Sequence, residues 1–188
     1  MARGLSALAL VLPALLLIPR SPIRAFTISS AAMAPTLLPQ DSVLVNRLAY
    51  LFRTPRRGDV IVFRYPRLRG REFVKRVIAV PGDVVAGRGG RLSVNGKLEA
   101  EIGGAPVGPG IQGSLRLPPQ RIPPGQLFVL GDNAEASLDS RYWGDVNLQD
   151  VVGTAVLVCW SHGRNWWDVR WNRLGRWLSS HRPAQDLR

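Results

Sequence analysis

Four stretches hold the side chains that could do chemistry: FTISSAAMAPTLLPQD (Phe26 to Asp41), RRGDVIVF (Arg56 to Phe63), FVKRVIAVPGD (Phe73 to Asp83) and GDNAEASLDSR (Gly131 to Arg141). They contain several hydroxyls (Thr27, Ser29, Ser30, Ser137), one lysine with apolar neighbours (Lys75), and an acid–base pair two residues apart (Asp139, Arg141). A lysine amine accepts a proton only when neutral, so a basic role for Lys75 requires desolvation. Moving its pKa from ~10.4 to about 8 takes roughly 3 kcal/mol of burial and neighbour effects. Phe73, Val77 and Ala79 share a strand face with Lys75 and permit this. Val74, Ile78 and Val80 make the other face apolar too, so alternation alone leaves Lys75 readable as a surface lysine. PGD and GDN by themselves mark turns, and Asp139 with Arg141 by itself reads as a turn with a salt bridge. The single cysteine, Cys159, lies in the apolar run Ala155–Trp160 and reads as a packed thiol; an internal disulfide is ruled out. Two histidines, His162 and His181, without clustered cysteines make no metal-ligand set, and we expect neither metal nor cofactor.

The elements that must position these groups are short. Gly and Pro are abundant (19 and 15 of 188 residues), 46% of the chain is hydrophobic, and long helical periodicities are scarce. The chain is long enough to bury a core and suits one domain with an insertion. Ser42–Val45, Asp59–Phe63, Phe73–Val80, Gln126–Leu130 and Val151–Trp160 read as strands, being rich in β-branched or aromatic residues between turn signals. Arg91–Val94 and Lys97–Leu98 flank Asn95-Gly96, a strong hairpin signal. Ser29–Gln40 reads as irregular. From Gly103 to Gly125, twelve of twenty-three residues are Gly or Pro, which predicts an irregular loop. Trp167, Trp171, Leu174 and Leu178 recur at spacings of four, three and four, predicting a C-terminal helix with an apolar, aromatic face and arginines (Arg170, Arg173, Arg176) elsewhere.

The N-terminus bears on the compartment. Residues 4–19 carry no charge. Sixteen helical residues span about 24 Å against a ~30 Å hydrocarbon core, so this is a marginal span, with Pro13 in its middle. Apolar continuation through Ile23, Phe26 and Ile28, with Arg20 and Arg24 snorkelling, would complete a tilted or interfacial anchor; a cleaved signal peptide is the rival reading. The net charge of +12 fits nucleic acid, anionic lipid or plain solubility. Its arginines are scattered rather than gathered on one reading helix, so we expect no nucleic acid.

In this order and spacing, behind an apolar N-terminus, the four stretches resemble the signal peptidase I family of serine proteases over nearly the whole chain. The resemblance implies a Ser–Lys dyad on a mostly β fold, an extracytoplasmic catalytic domain, and cleavage of signal peptides from exported preproteins after small residues. It also favours a single uncleaved anchor, because the family's serine motif, F-x-I-P-S-G-S-M-x-P-T, begins just past the membrane. Carried over by position, Lys75 falls on the general base. Ser30 falls on the oxyanion-hole serine and Ser137 on the serine that orients the lysine. Asp139 and Arg141 match a pair that holds the loop in shape, and Asp132 and Asn133 fix the same turn. We expect an antiparallel β catalytic core over residues 26–160, a smaller β cap at about 84–125, an anchor helix in 1–25 and a basic, Trp-rich tail with a short helix in 161–188.

The pattern breaks where it matters most. Ala32 precedes Met33 and occupies the nucleophile's position, and a methyl group cannot attack a carbonyl. Ser29 replaces the usual proline, Ala31 the usual glycine, and Ala134 the usual arginine after GDN. Ser30 is no ready substitute, since in extended backbone its Cα lies about 6–7 Å from that of residue 32. Three readings follow: a signal-peptidase-type endopeptidase, a pseudoprotease that binds signal peptides or pilin-like partners, and a Trp-rich interfacial protein that binds lipid or nucleic acid. Signal peptides and membrane lipid are the expected partners.

Overall fold

The computed structural model describes residues 21–65, 70–101 and 116–178. Their apolar strands assemble into two antiparallel sheets. The first has seven strands: β1 (Ile23–Thr27), β2 (Asp41–Asn46), β3 (Val60–Arg64), β4 (Glu72–Ala79), β9 (Gln126–Leu130), β10 (Val146–Asn147) and β11 (Val151–Ser161), in the order β1-β2-β11-β3-β4-β9-β10. The second is built from β5 (Val84–Arg88), β6 (Arg91–Val94), β7 (Lys97–Glu101) and β8 (Leu117–Arg121), in the order β7-β6-β5-β8. One α-helical turn, α1 (Ser140–Trp143), follows β9.

Alternation explains the large sheet, since inward side chains of its strands fill two cores. Met33, Leu37, Val43, Val45, Val62 and Val158 form one. Ile61, Phe63, Val77, Leu127 and Val129 form another, where Phe63 packs against the Phe73 and Trp143 rings. A register shift between Val77 and Ala79 turns the end of β4, so that Ala79 joins the core of the small sheet with Val85, Leu92, Val94, Ile122 and Phe128. The face that alternation assigned to Lys75 is therefore divided between two cores.

Sequence-based strands recur closely at β2, β3, β4, β6, β7, β9 and β11; β1, β5, β8 and β10 are additional. Ile23 and Phe26, expected to prolong a membrane anchor, instead lie in β1, paired residue for residue with β2. The first twenty residues, where the anchor itself was placed, lie outside the described residues. No helix among the described residues is long and apolar enough to cross a membrane. β8 corrects the expectation of an irregular Gly103–Gly125: Pro118 and Pro119 lack N–H groups, but β8 is an edge strand, where a missing donor faces solvent.

The C-terminal helix is also corrected. Trp171–Arg173 forms only a 3₁₀ turn, and isolated bridges join His162 to Val169 and Leu157 to Trp177. Leu178 N–H donates to the Val156 carbonyl at 2.8 Å and Val158 N–H to the Arg176 carbonyl at 3.0 Å. Gly175, with φ at +73°, turns the chain into this pairing, which a helix would forbid. The backbone donors of β11 beyond its pairing with β3 outcompete a helix whose apolar stripe had nothing to cover. Trp166, Trp167, Trp171 and Trp177 consequently remain exposed.

Phe63 is wholly buried and central to its core. Phe63→Ala should lower the unfolding free energy by about 3–5 kcal/mol, read by chemical denaturation.

Candidate active site

A cleft of about 350 Å³ opens between β1, β4, the turn at Ala31–Met33 and the loop after β9; Phe26, Ser30, Ala32, Val74, Lys75 and Leu138 are among its walls. Its chemistry begins with the turn. Ser30 is extended (φ −134°, ψ 161°) and its hydroxyl makes no capping bond, leaving that exposed side chain on the cleft wall. Ala34 N–H closes the turn on the Ala31 carbonyl at 3.0 Å, and Leu37 N–H bonds the Met33 carbonyl at 2.8 Å. Met33 and Leu37 are sunk in the core and anchor the turn from below. Ala32 is buried, and its carbonyl accepts from Asn133 N–H at 3.1 Å, joining the turn to the loop after β9. Asn133 thus makes this link through its backbone N–H.

Lys75 reaches the cleft from the middle of β4, where it pairs with Ile61, and is only 4% exposed. Burial drives its amine from 10.5 down to about 8. Asp139 opposes the shift, Arg141 adds to it, and Asp132 opposes it. Both carboxylates already hold arginines. Arg76 donates to Asp132 through Nε at 2.8 Å and Nη2 at 2.7 Å, and through Nη1 to the Gly58 carbonyl at 2.8 Å. Arg141 donates to Asp139 through Nε at 2.7 Å and Nη2 at 2.9 Å. Each carboxylate is thus held bidentately by an arginine, and burial outweighs the pull that it still exerts on Lys75.

Asp139 is also the hub of the loop after β9. It accepts from the Ser137 hydroxyl at 2.7 Å and Gly131 N–H at 3.1 Å, and caps α1 through Arg141 N–H. Arg141 Nη2 donates further to the carbonyls of Ala134 (2.8 Å) and Ser137 (3.2 Å). Ser137 Oγ therefore donates to Asp139. Gly131 was not singled out from the sequence, yet a Cβ there would lie 2.2 Å from Ser137 Oγ and 2.4 Å from the Ala32 carbonyl oxygen. Only glycine lets the two loops approach. The partner of Arg76 has no local signal either, because Asp132 lies 56 residues away.

The model for "Signal peptidase, peptidase S26" matches residues 1–160. This chain belongs to the signal peptidase family. Among similar proteins is a signal peptidase I of Leptolyngbya laminosa, 38% identical over 146 residues that cover 73% of this chain and 68% of that protein. A signal peptidase I of Pseudomonas aeruginosa is 38% identical over 168 residues, covering 68% of this chain and 58% of that one. A crystal structure of a signal peptidase I from Enterococcus faecalis is 32% identical and covers 54% of this chain and 97% of its own, with a TM-score of 0.42.

Of the residues singled out from the sequence, Ser30, Ala32 and Met33 on the turn and Lys75 on β4 line the cleft, whereas Asp132, Asn133, Ser137, Asp139 and Arg141 lie on the loop after β9, which reaches the cleft through Ala136 and Leu138. Among the described residues no group of three or more His, Cys, Asp or Glu side chains could hold a metal ion. Cys159 is half-buried on β11, bonded to the Ser42 carbonyl at 3.2 Å, with its thiol pushed up by burial.

Lys75 charged in a buried site opposes folding. Between about 8 and 10.5 the unfolded chain binds the extra proton and the folded chain does not, so stability rises with pH across that window. Below about 8 the full penalty remains. Lys75→Met should therefore raise stability at pH 7 by roughly 1–3 kcal/mol, and should flatten the rise between pH 8 and 10 in denaturant titrations.

Proposed function

We propose that this chain acts in signal-peptide processing. Its cleft receives the small-residue end of a signal peptide from an exported preprotein, and Lys75 is the base of a Ser–Lys site to which residue 32 contributes only a methyl group. The observation that carries this reading is the amine of Lys75, buried and held near 8 in the cleft that Ala32 and Ser30 line. At pH 7 roughly a tenth of such an amine is neutral, enough to take a proton from a neighbouring hydroxyl.

The apolar walls supplied by Phe26, Val74 and Leu138 suit an extended peptide bearing small apolar side chains. Ser30, free of capping, is available to donate to a carbonyl oxygen as charge develops there. Ser137 and Asp139 hold the loop that faces Lys75, so Ser137 orients the lysine through that loop. With Ala32 in place the site binds and does not cut. A serine there would find a base, a donor and a formed cleft.

The described domain follows directly on the apolar residues 4–19, which supports a single anchor with the cleft on the extracytoplasmic side. The tail supports lipid contact as well: four exposed tryptophans stand among the exposed Arg164 and Arg176, a combination suited to an anionic membrane interface.

The decisive comparison is between the chain as it stands, Ala32→Ser, and Ala32→Ser with Lys75→Ala, each given a preprotein with a small-residue cleavage site. We expect the first to bind without cleaving and the second to gain roughly 10³-fold or more in cleavage. The third should return to background. Cleavage by Ala32→Ser should climb about tenfold per pH unit below about 8 and level off above it. Efficient turnover by the unaltered chain, or none by Ala32→Ser despite peptide binding, would overturn the assignment. For the tail, Trp171→Ala with Trp177→Ala should weaken sedimentation with phosphatidylglycerol vesicles at low salt; unchanged sedimentation counts against lipid contact.

A further inference from the structure

The loop that carries Ser30 and Ala32 is held from a direction that none of the catalytic motifs supplies. Residues 28–41 form a loop closed at its base, where Ile28 N–H donates to the Asp41 carbonyl at 2.7 Å and Gln40 N–H to the Ile28 carbonyl at 2.8 Å. The Asp41 side chain is wholly buried there. It accepts from Ser161 Oγ at 2.6 Å and Leu38 N–H at 2.8 Å. Arg173, 132 residues further along, donates to it through Nε at 3.1 Å and Nη2 at 2.5 Å.

The same guanidinium crosses to the loop backbone, donating from Nη2 to the Thr36 carbonyl at 3.0 Å. Arg170 adds a second clasp, donating from Nη1 to the Pro39 carbonyl at 3.1 Å and lying 3.7 Å from Asp41. Both arginines lie beyond residue 160, in the tail outside the family-matched stretch. On the other side of Thr36, its hydroxyl meets Arg76 Nη2 at 3.5 Å, and Arg76 is the neighbour of Lys75. The loop therefore sits between an arginine of β4 and two of the tail.

We propose that Arg173, assisted by Arg170, is a positioning residue for the cleft, clamping residues 28–41 so that Ser30 and residue 32 keep their place against Lys75. The proposal rests on the Ser–Lys reading of that site. Its physical basis is reach: one planar guanidinium spans Asp41 and the Thr36 carbonyl together, whereas a lysine ammonium, a compact point charge, lacks the fork that does so. A loop freed to move by about 1 Å would misplace its hydroxyls for attack on a bound carbonyl. The tail thus belongs to the site although none of its described residues lines the cleft.

The test uses the full chain in detergent, with Arg173→Lys and Arg170→Ala each placed in the unaltered chain and in Ala32→Ser. Hydrogen exchange should quicken by roughly tenfold in the amides of residues 28–41 while those of β3 and β4 keep their protection. In the Ala32→Ser background kcat for preprotein cleavage should fall roughly tenfold or more with KM changed much less. Parent exchange rates and parent kcat in a folded variant would overturn the clamp. Equal loss of protection in the loop, β3 and β4 would also overturn it, making Arg173 a residue of general stability. If Arg173→Lys fails to fold, Arg170→Ala, at a half-buried position, decides by the same measurements. If Ala32→Ser itself does not cleave, the Ser–Lys reading fails separately, and loop exchange measured against β3 and β4 still decides the clamp.

Discussion

An amine taken out of water governs this architecture. Lys75 sits mid-strand in β4, where its charged form loses hydration and, among the described residues, has no carboxylate of its own. Two carboxylates are near enough to hold the proton on, and the fold commits each to an arginine: Asp132 to Arg76, Asp139 to Arg141. Removing either arginine would strengthen the pull of its acid on Lys75 and raise the amine's pKa. The pairs therefore do more than close loops. They occupy the two acids whose attraction opposes the burial that lowers the lysine's pKa.

The same pairs join the site's parts. Arg76 grips the β9 loop through Asp132, touches Thr36 beyond the turn, and bonds the Gly58 carbonyl before β3. Asp139 gathers Ser137, Gly131 and Arg141 into one hub, and Asn133 N–H carries that order to the Ala32 carbonyl. Buried ion pairs of this kind contribute little net stability against apolar replacements. Their gain here is position, since each donor and acceptor accepts one arrangement of three separate chain segments. Against that background the methyl group of Ala32 is a local change: its backbone bonds involve only N–H and C=O groups and hold whatever side chain stands there.

Around this centre the tail behaves unlike its periodicity. Its apolar stripe could have formed a helix only by finding a surface to cover, and β11 offered instead an open row of backbone donors and acceptors. Pairing with β11 satisfied those groups, and Arg173 sank against Asp41 rather than into solvent. Burial by itself would raise the Asp41 carboxyl, but hydrogen bonds from Arg173, Ser161 and Leu38 outweigh it and hold the group below the ordinary range. The tryptophans were left outside, beside the remaining arginines.

Much of the site was legible because its markers are local. The hairpin at Asn95-Gly96, the alternating strands, and the four stretches bearing Ser30, Lys75, Asp132, Ser137, Asp139 and Arg141 are runs of adjacent residues whose types and spacing carry their own meaning. So does Ala32, since the absence of a hydroxyl needs no structure to be seen. What could not be read was pairing across sequence. Arg76 with Asp132, Arg173 with Asp41, and the need for glycine at 131 depend on segments tens to more than a hundred residues apart meeting within about 3 Å. The sequence alone determined which groups exist, a β-rich chain with one candidate base and no serine at position 32. Only tertiary structure decided that the base is buried, which acids are already taken, and that the tail holds the loop, because desolvation and ion pairing are properties of neighbours in space.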